Sequence, residues 1–137
     1  MEALLQACAD DDYPAEVVLV LSNNPDAKGL ETAASAGIAT EVVDHRNFKG
    51  DKAGFENAIL ATLDGYDIDL ICLAGFMRLL SAEFIAHWED KIINIHPSLL
   101  PAYKGLDTHA RAIADGADTA GCSVHFVVPE MDAGPII

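Results

Sequence analysis

Positive charge is what this sequence has least of. Eight Lys and Arg stand against twenty-two Asp and Glu in 137 residues, a formal charge of -14, so diffuse attraction to nucleic acid or an anionic membrane surface is disfavoured. Cysteine is sparse as well. Cys8, Cys72 and Cys122 are odd in number, far apart and form no C-x-x-C, which signals neither a disulfide framework nor a zinc site and makes a reducing cytoplasm the expected setting. No apolar run approaches the roughly 20 residues needed to cross a bilayer, and "MEALLQACADDD" lacks the basic flank of a signal peptide. Repeats, low-complexity tracts and flexible linkers are missing too. The triple aspartate Asp10 to Asp12 reads as a solvated loop, and the length fits one domain, 1–137.

Apolar residues make up 51% of the chain and fall into short blocks. "EALLQACA" has helical spacing, and "AEVVLVLSN" is a continuous apolar run of strand length, which suits a strand buried on both faces of a parallel sheet. Asn24 before Pro25 predicts an N-cap and first helical position, with Gly37 as the stop. "IATEVVD" predicts a strand. Asp51 predicts the cap of a helix in which Phe55, Ile59 and Leu63 recur at four-residue steps. Beyond it, "DIDLICLAG" is a strand, Ser81 a helix cap, "KIINIH" a strand, "THARAIAD" a helix stopped by Gly116, and "CSVHFVV" a strand. Alternation of this kind predicts an α/β sheet with helices on both faces. A helix opening at Met1 with no strand to feed it, and "GPII" stopping as though entering a further strand, predict a fragment.

Ligands of open α/β sheets lie beyond the carboxyl ends of the strands. That rule selects "AGFMRLLS", "IHPSLLP" and "PEMDAGP", which together hold Arg78, Asn94, His96, Glu130 and Asp132. Histidine is the side-chain type whose unperturbed charge change falls near neutrality, so His96 suits a general acid or an oxyanion partner. Asn94 lies two residues earlier, so in a strand both side chains share a face and can grip one oxygen, as acyl transfer requires. Asp132 is the candidate carboxylate to pair with the imidazolium. Ser98 has no G-x-S-x-G setting and Cys122 no recognisable base, so direct transfer between two bound substrates is the simpler expectation. Each residue also has an ordinary structural use. Asp132 beside a glycine reads as a turn residue, Arg78 and Glu130 as surface charges, and Phe76, Met77, Leu79 and Leu80 as core. His45, His87, His109 and His125 lack metal-ligand spacing and are expected in loop or surface roles.

"LAGFMRLLS", "NIHPSLLPAYKG" and "SVHFVVPEMDAGPII", in this order and spacing, closely resemble the glycinamide ribonucleotide formyltransferase family, and "LSNNPDAKGLETAASAGIAT" extends the resemblance over nearly the whole chain. N-x-H-P-S-L-L-P with the later D-x-G marks the wider folate-dependent formyltransferase group, and "AGFMR" points to its purine branch. The resemblance implies a Rossmann-like three-layer α/β/α formyltransferase fold with a mostly parallel sheet, lacking here its first strand and its C-terminal strand and helix. It also implies transfer of the formyl group from 10-formyltetrahydrofolate to the amine of glycinamide ribonucleotide in de novo purine biosynthesis, with no metal. Asn94, His96 and Asp132 would be catalytic: His96 as proton donor to the tetrahedral intermediate, Asn94 orienting the formyl oxygen, and Asp132 pairing with His96 and moving protons through water. Lys52, Met77, Arg78, Leu79, Leu80, Ile85, Asn94, Pro129 and Met131 would bind the folate. The family often has arginine at the position of Lys52, facing the folate's glutamate tail, and lysine keeps that charge without the two-pronged geometry. Gly75, Pro97 and Gly105 would border the ribonucleotide. Family members begin with a strand and a Gly/Ser-rich loop that holds the nucleotide phosphate, whereas this chain opens inside the following helix. The alternatives are formyltetrahydrofolate hydrolase, in which water takes the formyl group, and a noncatalytic folate-binding remnant.

Overall fold

Burial and capping divide this chain into elements much as its apolar blocks suggest, though the elements are shorter. A computed structural model describes residues 1–137, and its contacts separate two compact units, Met1–Ile68 and Asp69–Ile137.

The first unit contains α1 (Glu2–Ala7), β1 (Leu19–Ser22), α2 (Lys28–Ser35), β2 (Ala39–Val42), a 3₁₀ turn (His45–Phe48) and α3 (Lys52–Leu63). β1 and β2 pair in parallel, with Leu19 opposite Ala39 and Ser22 opposite Val42. Val17 and Val18 stay outside this ladder, because β2 begins only opposite Leu19. β1 is bonded along one edge only, and none of its residues is fully buried. The predicted N-cap at Asn24 is not formed. Its Oδ1 accepts the Asp26 N–H at 3.1 Å, a local turn, and α2 begins after Ala27 without a side-chain cap. α3 follows expectation: Asp51 Oδ1 accepts the Gly54 N–H at 2.9 Å, and Phe55, Ile59 and Leu63 are buried with Ala33 and Val43 as the core of this unit. Each such large side chain contributes about 1.5–3 kcal/mol by leaving water. Lys52 opens α3, its Nζ 3.9 Å from the Glu56 carboxylate.

The second unit contains β3 (Ile71–Leu73), α4 (Ala82–His87), β4 (Ile92–His96), α5 (Thr108–Ala114) and β5 (Ser123–Phe126). Ser81 caps α4 through the Phe84 N–H at 3.1 Å, and Phe84, Ile85, Ile92 and Ala112 form the core. β3 and β4 are parallel, whereas β4 and β5 are antiparallel, with Asn94 opposite His125 and His96 opposite Ser123. The chain then doubles back along β5: Phe126 N–H bonds the Pro135 carbonyl and Ile137 N–H the Val124 carbonyl, both at 2.9 Å. Gly134 permits this return, because a Cβ there would run into the Phe126 carbonyl oxygen. No helix is long and apolar enough to cross a membrane.

Candidate active site

The antiparallel direction of β5 changes how the site is assembled. Its carboxyl end lies beside Ile93, away from the carboxyl end of β4, so the three predicted loops do not converge at one end of a parallel sheet. Instead, the doubled-back segment carries Asp132 alongside the face of β4 and β5. Asn94 and His96 share that face as i and i+2 residues, and their cross-strand neighbours His125 and Ser123 share it with them.

Four side chains meet there. His96 Nδ1 lies 3.4 Å from Asp132 Oδ2, and His125 Nε2 lies 3.6 Å from Asp132 Oδ1. Asn94 Nδ2 is 3.3 Å from His125 Nε2. His96 is 5% exposed, His125 3%, and the Asp132 side chain 11%. The second ring nitrogen of His96, Nε2, donates to the Tyr103 carbonyl at 2.9 Å. A carbonyl and a carboxylate thus face the two nitrogens of His96, an arrangement suited to an imidazolium, which donates from both.

The 97–107 loop supplies further contacts and is tied down by hydroxyls that the apolar pattern conceals. Ser98 Oγ donates to the Ala102 carbonyl at 2.6 Å, Ser123 Oγ to the Ser98 carbonyl at 2.9 Å, and Thr108 Oγ1 to the Pro97 carbonyl at 2.8 Å. Leu100 N–H returns to Ser123 Oγ at 3.0 Å. All three hydroxyl residues are buried, where an unmade hydrogen bond costs about 1–3 kcal/mol. Arg111 binds the Lys104 carbonyl at 2.7 Å and lies over the Tyr103 ring. So held, the loop directs the Tyr103 carbonyl at His96 and the Gly105 N–H at Asp132 Oδ2, the latter at 2.8 Å. Tyr103 at φ 54°, Gly105 at φ 82° and Asp132 at φ 50° all adopt the left-handed region. Only Gly105 does so without steric cost.

The predicted trio is therefore together. His125, expected in a loop or at the surface, is instead buried among the trio. Its signal was the alternation of Ser123 and His125, polar residues at i and i+2 of an otherwise apolar strand. Met77 and Leu79, which also read as core, are 79% and 63% exposed on the segment after β3. Arg78 is exposed on the same segment, as is Gly75 at φ 73°, and Leu80 is half-buried. Ile85 is instead buried in the core with Phe84 of α4. Pro97, Pro129 and Met131 are exposed, and the Met131 side chain lies close to Gly105. Lys52 belongs to the first unit. No cluster of three His, Cys, Asp or Glu side chains is disposed to hold a metal ion.

Similarity to known proteins extends over the whole chain. The family described as Formyl transferase matches residues 1–137. Phosphoribosylglycinamide formyltransferase of Escherichia coli (strain K12) is 43% identical over 137 residues, covering all of this chain and 64% of the relative. Trifunctional purine biosynthetic protein adenosine-3 of Gallus gallus is 47% identical over 137 residues, again all of this chain but only 14% of the relative. The crystal structure of phosphoribosylglycinamide formyltransferase from Brucella melitensis is 52% identical with a TM-score of 0.92, over 99% of this chain and 69% of that one. The chain thus spans only part of the length of the proteins it matches.

Proposed function

Because this chain belongs to the formyl transferase family, we propose that it supplies the catalytic side chains for transfer of a formyl group from 10-formyltetrahydrofolate to the amine of glycinamide ribonucleotide, a step of purine biosynthesis. The observation that carries this reading is the ion-pair geometry of His96 and Asp132, 3.4 Å apart, on the same strand face as Asn94. The names of the relatives in Escherichia coli and Brucella melitensis support the acceptor.

In the proposed reaction the acceptor's amine attacks the formyl carbon, forming a C–N bond and moving the carbonyl electron pair onto oxygen. Asn94 donates an amide N–H to that oxygen, and the His96 imidazolium lies beside it. Charge developing in so enclosed a site is stabilised more strongly than in water. His96 Nε2–H, bonded to the Tyr103 carbonyl, is the proton available to the oxyanion, so donation requires that bond to give way. The attacking nitrogen loses a proton through water to the Asp132 side. The intermediate then collapses: the hydroxyl proton returns to His96 as the carbonyl re-forms, the bond to the folate nitrogen breaks, and the proton held on the Asp132 side passes through water to that nitrogen, which leaves as tetrahydrofolate. The exposed Met77, Arg78 and Leu79 and the half-buried Leu80, with Pro129 and Met131, offer apolar surface and backbone groups to the donor, and Ile85 is assigned there from the family resemblance alone. Lys52 is assigned to the donor's acidic tail, and Gly75, Pro97 and Gly105 to the acceptor, from the family resemblance.

Release of tetrahydrofolate from 10-formyltetrahydrofolate, with and without glycinamide ribonucleotide, tests the reading. Acceptor-dependent release is expected. Equal release without acceptor would mean that water takes the formyl group, and binding without release would leave only a folate-binding protein.

A further inference from the structure

Two buried histidines flank one carboxylate, and their surroundings differ in a way that separates their tasks. We infer that His125 is a positioning residue, held as the neutral tautomer with its proton on Nδ1, whose Nε2 lone pair accepts an amide N–H of Asn94 and so fixes the amide that meets the formyl oxygen. The role assigned to Asn94 rests on the proposed function; the tautomer does not.

The first step is local. His125 Nδ1 faces the Phe126 carbonyl oxygen at 2.8 Å, and a carbonyl only accepts, so Nδ1 carries the proton. In the neutral ring Nε2 is then the acceptor. Two groups approach it, from two different elements. Asn94 Nδ2 on β4 is 3.3 Å away, and Asp132 Oδ1 on the doubled-back segment is 3.6 Å away. The longer distance is beyond a side-chain hydrogen bond, whereas the shorter one is within reach of it.

The second step concerns charge. Asp132 Oδ2 already faces His96 Nδ1 at 3.4 Å and accepts the Gly105 N–H at 2.8 Å, while His96 Nε2 donates to Tyr103. One carboxylate can balance only one imidazolium, and His96 is the ring that has an acceptor at each nitrogen. A second on His125 would leave a net buried positive charge, which is disfavoured, and its Nε2–H would repel the Asn94 amino group and turn the amide over. With His125 neutral, one Asn94 N–H is bonded and the other has no partner within the protein. The half-buried Asn94 side chain can present that second N–H to a substrate oxygen.

The register supports the pairing independently of the side chains. Asn94 and His125 are directly opposite in the antiparallel ladder, where Cβ atoms lie about 4.5–5.5 Å apart.

The test uses the full chain as its gene encodes it. Nitrogen-15 NMR of the imidazole rings reads the tautomer without any assay of activity. His125 is expected to show a protonated Nδ1 and a bare Nε2, with the Nε2 signal moving in Asn94→Ala; a protonated Nε2 overturns the inference. In kinetics, His125→Leu is expected to lower kcat on the order of 10- to 100-fold, with KM for the folate donor little changed. His125→Gln extends an amide oxygen to the position of Nε2 but cannot become charged, and is expected to restore turnover to within about fivefold. The Leu effect should largely vanish in an Asn94→Ala background. Turnover of His125→Leu equal to that of the unmutated protein, a Gln variant as damaged as Leu, or additive losses would each overturn the inference. If the unmutated chain shows no acceptor-dependent release, the proposed function fails while the NMR measurement still decides the tautomer and its pairing with Asn94.

Discussion

Replacing Asp132 by Asn separates the charge of this residue from its structural work. The side chain does two things: it faces the His96 ring at 3.4 Å, and it accepts the Gly105 N–H at 2.8 Å from a backbone at φ 50°. Asn tolerates the left-handed conformation and retains an oxygen for Gly105. Only the charge is lost. At 3.4 Å and an effective dielectric of about 20, two unit charges attract by roughly 5 kcal/mol before desolvation is subtracted, and hydrogen bonds to charged groups are worth about 1.5–3 kcal/mol net. A loss of about 2–3 kcal/mol at the transition state lowers turnover about 30- to 150-fold. Asp132→Ala loses the charge and the Gly105 bond, and puts an unsuited residue in the left-handed region. Its unfolding free energy should therefore fall about 2–4 kcal/mol below that of the Asn variant. Initial rates of acceptor-dependent tetrahydrofolate release give the first quantity and urea denaturation the second. Turnover of the Asn variant within twofold of the unmutated protein would remove the His96–Asp132 pair from the chemistry. An Asn variant as unstable as Ala would mean that its inactivity reports a collapsed loop.

Three further outcomes test the fold around the site and beyond it. Ser123→Ala leaves the Leu100 N–H and the Ser98 carbonyl without their hydroxyl partner, and should reduce stability by about 1–3 kcal/mol at an unchanged denaturant slope; an unmoved midpoint would release Ser123 from holding the 97–107 loop. Gly134→Ala forces a methyl group against the Phe126 carbonyl, so the Phe126 amide, bonded to Pro135, should lose hydrogen-exchange protection; retained protection would contradict the close approach. Asp44 is held down to about 2 from its ordinary 3.8 by the Arg46 side chain and then by the Arg46 backbone N–H. Its folded value is depressed, so its contribution is present above the ordinary value and is lost as the pH falls through about 2. A carbon-13 titration of the Asp44 carboxyl with a midpoint near the ordinary value would exclude the Arg46 contact in solution.

What the sequence made readable divides along a physical line between local and non-local causes. Caps at Asp51 and Ser81 and the buried face of Phe55, Ile59 and Leu63 follow from residues within a few positions of one another. So does the shared face of Asn94 and His96, since side-chain parity along a strand is a property of the strand alone. Asn24 failed as a cap although it too is local, because its side chain had a nearer backbone N–H to satisfy, that of Asp26. Strand direction is different in kind: "SVHFVV" carries the same apolar signal parallel or antiparallel, so nothing within it says that its carboxyl end lies beside Ile93. That one undetermined bit relocated Asp132 from a loop at the strand ends to a segment crossing the strand face. It also placed His125 opposite Asn94. The motif residues were identifiable because a family signature names them, whereas the residue that touches two of them needed the register. Once that register is fixed, the two histidines cease to be equivalent: His96 has acceptors at both nitrogens, His125 has an acceptor at one and a donor at the other. The division of labour between a charged and a neutral imidazole is thus set by the pairing of two short strands.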